Sequence, residues 1–111
     1  MNGAKQVTAY VAVGSNIEPE QHVPAALDEL ARRVPVTASS TFYRTAPLER
    51  PDQQPFANGV WRVETSAAPR ELKFEVLREV EALLGRQRGR DSHAARTIDM
   101  DLLLHGSAEI D

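Results

Sequence analysis

The chain has 111 residues, 41% hydrophobic and 26% charged, with a formal net charge of −3 and no cysteine. That length supports one hydrophobic core, so a single domain over residues 1–111 is expected. The acidic balance argues against a general nucleic-acid binder, and the absence of cysteine excludes a disulfide framework and a thiolate metal site. The first six residues lack the apolar stretch of a signal peptide, and no apolar run is long enough to span a bilayer. A soluble, cytoplasmic protein with no membrane partner is the expectation.

Val7, Ala9, Val11 and Val13 alternate with Thr8, Tyr10 and Ala12, which predicts a strand with one buried face, ended by the turn formers Gly14, Ser15 and Asn16. Val23, Ala26, Leu27, Leu30, Ala31 and Val34 fall at helical spacing, with Pro24 expected in the first turn and Pro35 closing the helix. Residues 37–45 are rich in β-branched and aromatic types and read as a second strand, and 58–65 as a third, hairpin-paired with it across a proline-punctuated loop. Pro69 opens a long helix whose apolar stripe is Leu72, Val76, Val80, Leu83 and Leu84, with Gly85 just past its end. An arginine-rich segment then leads into the last strand, 97–105. The order β-α-β-β-α-β predicts an α+β, ferredoxin-like fold: a four-stranded antiparallel sheet with both helices on one face.

The chemistry concentrates in the last strand. Residues two apart on a strand share a face with Cβ atoms roughly 7 Å apart. Ile98, Met100, Leu102 and Leu104 should therefore point one way, and Asp99 and Asp101 the other. Two carboxylates on one face make a site for one or two Mg²⁺ ions carrying phosphates. Alone, such a pair is more often the solvated polar face of a half-buried strand. It is preceded, however, by four arginines in the eleven residues after Gly85, namely Arg86, Arg88, Arg90 and Arg96. Their guanidinium forks suit phosphate oxygens, so anion and cation ligands converge at one place, as in a metal–nucleotide site.

Five stretches occur in a familiar order: Val13-Gly14-Ser15-Asn16, Phe42-Tyr43-Arg44-Thr45-Ala46-Pro47-Leu48, Phe56-Ala57-Asn58, Leu84-Gly85-Arg86-Gln87-Arg88 and Arg96-Thr97-Ile98-Asp99-Met100-Asp101. Together they resemble the hydroxymethyl-dihydropterin pyrophosphokinase family over nearly the whole chain. The resemblance implies transfer of a pyrophosphoryl group from ATP to the hydroxymethyl group of a pterin in folate biosynthesis, with two Mg²⁺ ions. It implies that Asp99 and Asp101 ligate the metals, that Arg86 and Arg96 assist transfer, and that Arg88 and Glu81 belong to the nucleotide side. It further implies that Thr45 and Leu48 meet the pterin through backbone groups, that Phe56 stacks on its ring, and that Asn58 reads its polar edge. Trp61 reads as core, His105 as a surface residue, and His22 carries no functional signal.

The chain departs from the family pattern in two places. Ser92-His93-Ala94-Ala95 stands where an Arg-Trp-Gly-Pro run is usual, and Arg78 where the second helix often holds a glutamine. The resemblance also implies a further C-terminal segment, with a nucleotide-contacting histidine and a second stacking aromatic, that this sequence lacks. An active enzyme, a homo-oligomer whose neighbour completes the site, a binding paralogue with impaired catalysis, and an unrelated ferredoxin-like regulatory or oligomerisation module are the alternatives. Release of AMP separates the first two from the third.

Overall fold

The first strand, β1 (Val7–Ser15), is the centre of the sheet in the computed structural model, which describes residues 5–45, 55–85 and 97–109. Its alternation works as expected: Ala9, Val11 and Val13 are buried, while Tyr10 and Ala12 lie on the other face and are less so. The strand runs on through Gly14 and Ser15, which the sequence assigned to a turn. Both pair in register with β4 (Phe56–Thr65), Gly14 with Asn58 and Ser15 with Ala57. Tertiary pairing has overridden the turn propensity of these residues.

Helix α1 (Pro19–Ala31) begins earlier than expected. Pro19 takes the first-turn position expected for Pro24, and Pro24 lies inside the helix, where its lack of an N–H removes one hydrogen bond. The chain enters through Glu18 in a left-handed conformation (φ 43°). The expected second strand is split into β2 (Val36–Ser39) and β3 (Tyr43–Thr45), both antiparallel to β4. Between them Ser40 keeps the connection: its N–H donates to the Val60 carbonyl at 2.8 Å and its Oγ accepts from the Val60 N–H at 2.8 Å.

The second helix, α2, spans 69–83 in three stretches, Pro69–Glu71, a π-helical Leu72–Leu77 and Arg78–Leu83. The wide turns matter for what faces inward. Leu72 and Leu77 are both buried, though in an α-helix residues five apart would point about 140° away from each other. Beyond the π stretch, Val80 and Glu81 are buried, whereas Leu83, expected in the apolar stripe, is 58% exposed.

The last expected strand is β5 (Asp99–His105), followed by the short β6 (Ala108–Glu109). The sheet is antiparallel in the order β2-β4-β1-β5-β6, with β3 also on β4. It therefore has five positions across, with β2 and β3 sharing one edge, where four were expected. Ala26 and Leu30 of α1, Leu72, Leu77 and Val80 of α2, and Val11, Trp61, Val63, Met100 and Leu102 of the sheet form one core. Trp61 is 1% exposed, with Phe42 at 6.0 Å between ring centroids. Arg33, on the turn after α1, bridges Glu29 at 3.1 Å and Glu79 of α2 at 2.7 Å. The Glu79 hydrogen bond, then that to Glu29, raises its pKa above the ordinary arginine value. The chain is α+β, and among the described residues no helix is long and apolar enough to cross a membrane.

Candidate functional site

The sheet face turned away from the core carries the site. Register decides what stands there. Gly14 pairs with Asn58 on one side and Asp99 on the other; Ala12 pairs with Val60 and Asp101. Cross-strand partners share a face, so Asn58, Gly14 and Asp99 form one rung and Val60, Ala12 and Asp101 the next. Two strand spacings separate Asn58 from Asp99 along the rung, roughly 10 Å. A cavity of about 540 Å³ lies over these rungs, lined by Ala12, Gly14, Asn58, Val60, Asp99 and Asp101 as its floor and by Ser40, Thr41, Tyr43 and Phe56 among its walls.

At the β4 end the cavity is aromatic and amide-rich. Asn58 Nδ2 donates to Thr45 Oγ1 at 2.6 Å, anchoring the side chain to β3. Phe56 stands two residues before Asn58 on the same strand face, and Tyr43 pairs with Asn58 in register from β3. Gly14 is glycine for a steric reason: a Cβ there would lie 2.9 Å from Asn58 Oδ1 and 3.7 Å from Phe56 Cδ1. The floor is bare so that Asn58 can lie across it.

At the β5 end stand two carboxylates. Among the described residues lining the cavity, Asp99 and Asp101 are the only charged ones. Hard divalent cations take oxygen ligands, and Mg²⁺ in particular keeps several waters and is commonly held by one or two carboxylates together with substrate phosphates. This donor set fits that mode. Among the described residues no group of three or more His, Cys, Asp or Glu side chains stands ready to hold a metal alone, so an ion here would draw further oxygens from its substrate or from water. Behind the strand, Glu81 is 2% exposed and its Oε2 accepts the Met100 N–H at 2.7 Å.

Of the residues singled out from sequence, Phe56, Asn58, Asp99 and Asp101 line one cavity, and Thr45 is bonded to Asn58. Glu81 does not line it; it is buried against the reverse side of β5. Leu48, Arg86, Arg88 and Arg96 lie outside the described residues, as do Arg90 and the Ser92-His93-Ala94-Ala95 stretch. Arg78 rests its guanidinium 4.6 Å from the centroid of the exposed Phe74 ring. His105 is half-buried and its Nε2 bonds the Ala67 carbonyl at 2.7 Å. Leu104, expected on the apolar face, is 37% exposed. A bulge between its partner Tyr10 and Val11 places one extra residue, Leu103, in β5 and reverses the alternation beyond it. Sequence reasoning missed Tyr43 and the floor role of Gly14. The alternation of Tyr43 with Thr45 was the available signal for the first; for the second there was none, because glycine before Ser-Asn reads as a turn.

A family model described as 7,8-dihydro-6-hydroxymethylpterin-pyrophosphokinase matches residues 10–110. The chain is 36% identical over 104 residues to a 2-amino-4-hydroxy-6-hydroxymethyldihydropteridine pyrophosphokinase of Haemophilus influenzae, covering 91% of this chain and 64% of that protein. It is 41% identical over 106 residues to the protein of the same name from Pseudomonas aeruginosa, covering 92% and 64%, and 37% identical over 105 residues to that of Methylorubrum extorquens, covering 92% and 65%. The chain thus spans somewhat under two thirds of the length of these relatives. With the match running from β1 through β6 and including every strand that lines the cavity, the chain belongs to the 7,8-dihydro-6-hydroxymethylpterin-pyrophosphokinase family.

Proposed function

We propose that this chain transfers the pyrophosphoryl group of ATP to the hydroxymethyl group of 6-hydroxymethyl-7,8-dihydropterin in folate biosynthesis, in the cytoplasm and with two Mg²⁺ ions. The carrying observation is that an amide-and-aromatic end and a paired-carboxylate end share one cavity, about two strand spacings apart. Asn58, held by Thr45, presents an amide with both donor and acceptor capacity to the amide-like edge of a pterin. Phe56 supplies a ring face for stacking, worth about 1 kcal/mol beyond area burial, and the family resemblance gives Leu48 a contact to the pterin through its backbone. The pterin then lies along the rung with its hydroxymethyl arm toward Asp99 and Asp101. The strand order, with both helices contributing to one core, supports the ferredoxin-like assignment.

In the reaction the pterin hydroxyl oxygen bonds to the β-phosphorus of ATP, the bridge between the α- and β-phosphates breaks, AMP leaves and the hydroxyl proton is released. Asp99 and Asp101 would hold the Mg²⁺ ions, whose charge neutralises phosphate oxygens. Arg86 and Arg96 take the charge developing on the transferring group, and Arg88 steadies the nucleotide. Holding the hydroxyl and the phosphate chain in one cavity makes the step effectively unimolecular.

The test is AMP formation from ATP, Mg²⁺ and 6-hydroxymethyl-7,8-dihydropterin. AMP should require all three, and Asp99→Ala should lower turnover on the order of a hundredfold or more. AMP release indifferent to the pterin, or an Asp99→Ala variant as active as the parent, would overturn the assignment.

A further inference from the structure

Glu81 is a carboxylate buried at 2% exposure on the core side of β5, away from the cavity. Its Oε2 accepts the Met100 N–H at 2.7 Å, on the backbone between the two aspartates. Met100 pairs with Val13 of β1, while β6 covers the outer edge of β5 only at Leu104 and His105. The N–H of Met100 bonds the Glu81 side chain, on an edge of β5 that no described strand covers at this position. An unsatisfied N–H there would cost about 1–3 kcal/mol, and it would loosen the outer edge of β5 between Asp99 and Asp101, leaving β1 to hold the strand from the other side.

Helix geometry explains how an acidic side chain comes to this spot. The π stretch Leu72–Leu77 widens the helix and shifts the phase of everything after it. Leu72 and Leu77 face the core together, and the following inward positions are Val80 and Glu81 rather than Val80 and Leu83. π-helical turns concentrate at functional sites, and here the turn directs a carboxylate at the strand that carries the metal-binding pair.

We propose that Glu81 is a positioning residue: it pins the Met100 amide and so fixes the spacing and direction of Asp99 and Asp101 toward the cavity. The inference rests on Asp99 and Asp101 being the metal ligands. It assigns Glu81 an acceptor's role toward the Met100 amide.

The experiment compares Glu81→Gln, which keeps an acceptor oxygen without charge, with Glu81→Leu, which keeps the bulk without an acceptor. Two readouts are taken on folded protein: hydrogen exchange of the Met100 amide by NMR, and Mn²⁺ affinity by electron paramagnetic resonance in the presence of α,β-methylene-ATP, whose methylene bridge blocks the reaction. In Glu81→Leu, Met100 should lose protection and Mn²⁺ affinity should fall at least about tenfold, the usual effect of removing a group that orients a ligand. Glu81→Gln should hold Mn²⁺ affinity within about threefold and keep Met100 protected, as a neutral acceptor allows. Should Glu81→Leu fail to fold, Glu81→Gln decides alone: retained affinity and protection support the proposal, and loss of either overturns it. Equal loss of Mn²⁺ affinity in both variants would make the carboxylate charge itself the ligand, and unchanged affinity in Glu81→Leu would reduce Glu81 to a core residue; either result sinks the inference. Asp99→Ala runs alongside. If it binds Mn²⁺ like the parent, the metal assignment itself has failed; if it loses binding while Glu81→Leu does not, only the positioning role has.

Discussion

Gly14→Ala tests the geometry of the site with a single methyl group. The new Cβ would stand 2.9 Å from Asn58 Oδ1, where ordinary contact begins at 3.4 Å, so something must yield by about 0.5 Å. Asn58 cannot yield freely, because its Nδ2 is bonded to Thr45 at 2.6 Å. Overpacking of this kind costs about 1–3 kcal/mol. Against it stands the gain of replacing a strand glycine, about 0.5–1 kcal/mol. The net expectation is a loss of about 1 kcal/mol, or roughly 4 °C in Tm for a domain of this size. In an Asn58→Ala background the obstructing oxygen is gone, and the same substitution should become neutral or stabilising by about 0.5 kcal/mol. The assay is a double-mutant cycle by chemical denaturation, with pterin affinity measured by calorimetry in parallel. Gly14→Ala should weaken pterin binding about three- to tenfold, the worth of one displaced hydrogen bond. Identical stability changes in the two backgrounds would show that the close approach of Gly14 and Asn58 is not what requires glycine, and the reasoning would fall.

Two further outcomes follow from the packing. Gly59→Ala should destabilise the chain by about 2 kcal/mol, because its Cβ would meet the Phe42 ring at 2.5 Å, and that ring is itself packed on Trp61; thermal melting within error of the parent would contradict it. Leu83→Gln should change stability by less than about 0.5 kcal/mol, whereas Leu77→Ala should cost about 2–5 kcal/mol. That contrast follows from the exposure of Leu83 and the burial of Leu77. A large loss in Leu83→Gln would mean that the helix keeps regular α phase through residues 72–77.

The sequence was legible wherever a period ran undisturbed. Val7 to Val13 and Asp99 to Leu102 keep a strict alternation, and a two-residue period has no freedom of phase once one residue is known to be buried. The shared face of Asp99 and Asp101 could therefore be read from sequence, and so could the core assignment of Trp61. Legibility failed where one residue was added to a repeat. The bulge in β5 carries Leu104 to the opposite face, and the π stretch in α2 moves Leu83 out and Glu81 in. Neither insertion has a local signature, since both are stabilised by pairing and packing with distant segments and not by the propensities of the residues involved.

The two insertions are alike in kind but differ in consequence. In β5 the alternation reverses only after Leu102, so the bulge leaves the aspartate pair on the regular part of the strand, facing the cavity. In α2 the irregularity comes before Glu81, so it determines where that carboxylate goes. A regular helix through residues 72–77 would turn the surface holding Val80 and Glu81 away from the direction set by Leu72, and the edge of β5 at Met100 would lose its acceptor. The irregular turn and the buried charge are thus one feature. Each alone would be costly: wide turns weaken helix geometry, and a carboxylate out of water must be compensated by hydrogen bonds. Together they supply a hydrogen-bond acceptor at the outer edge of the strand on which both candidate metal ligands stand.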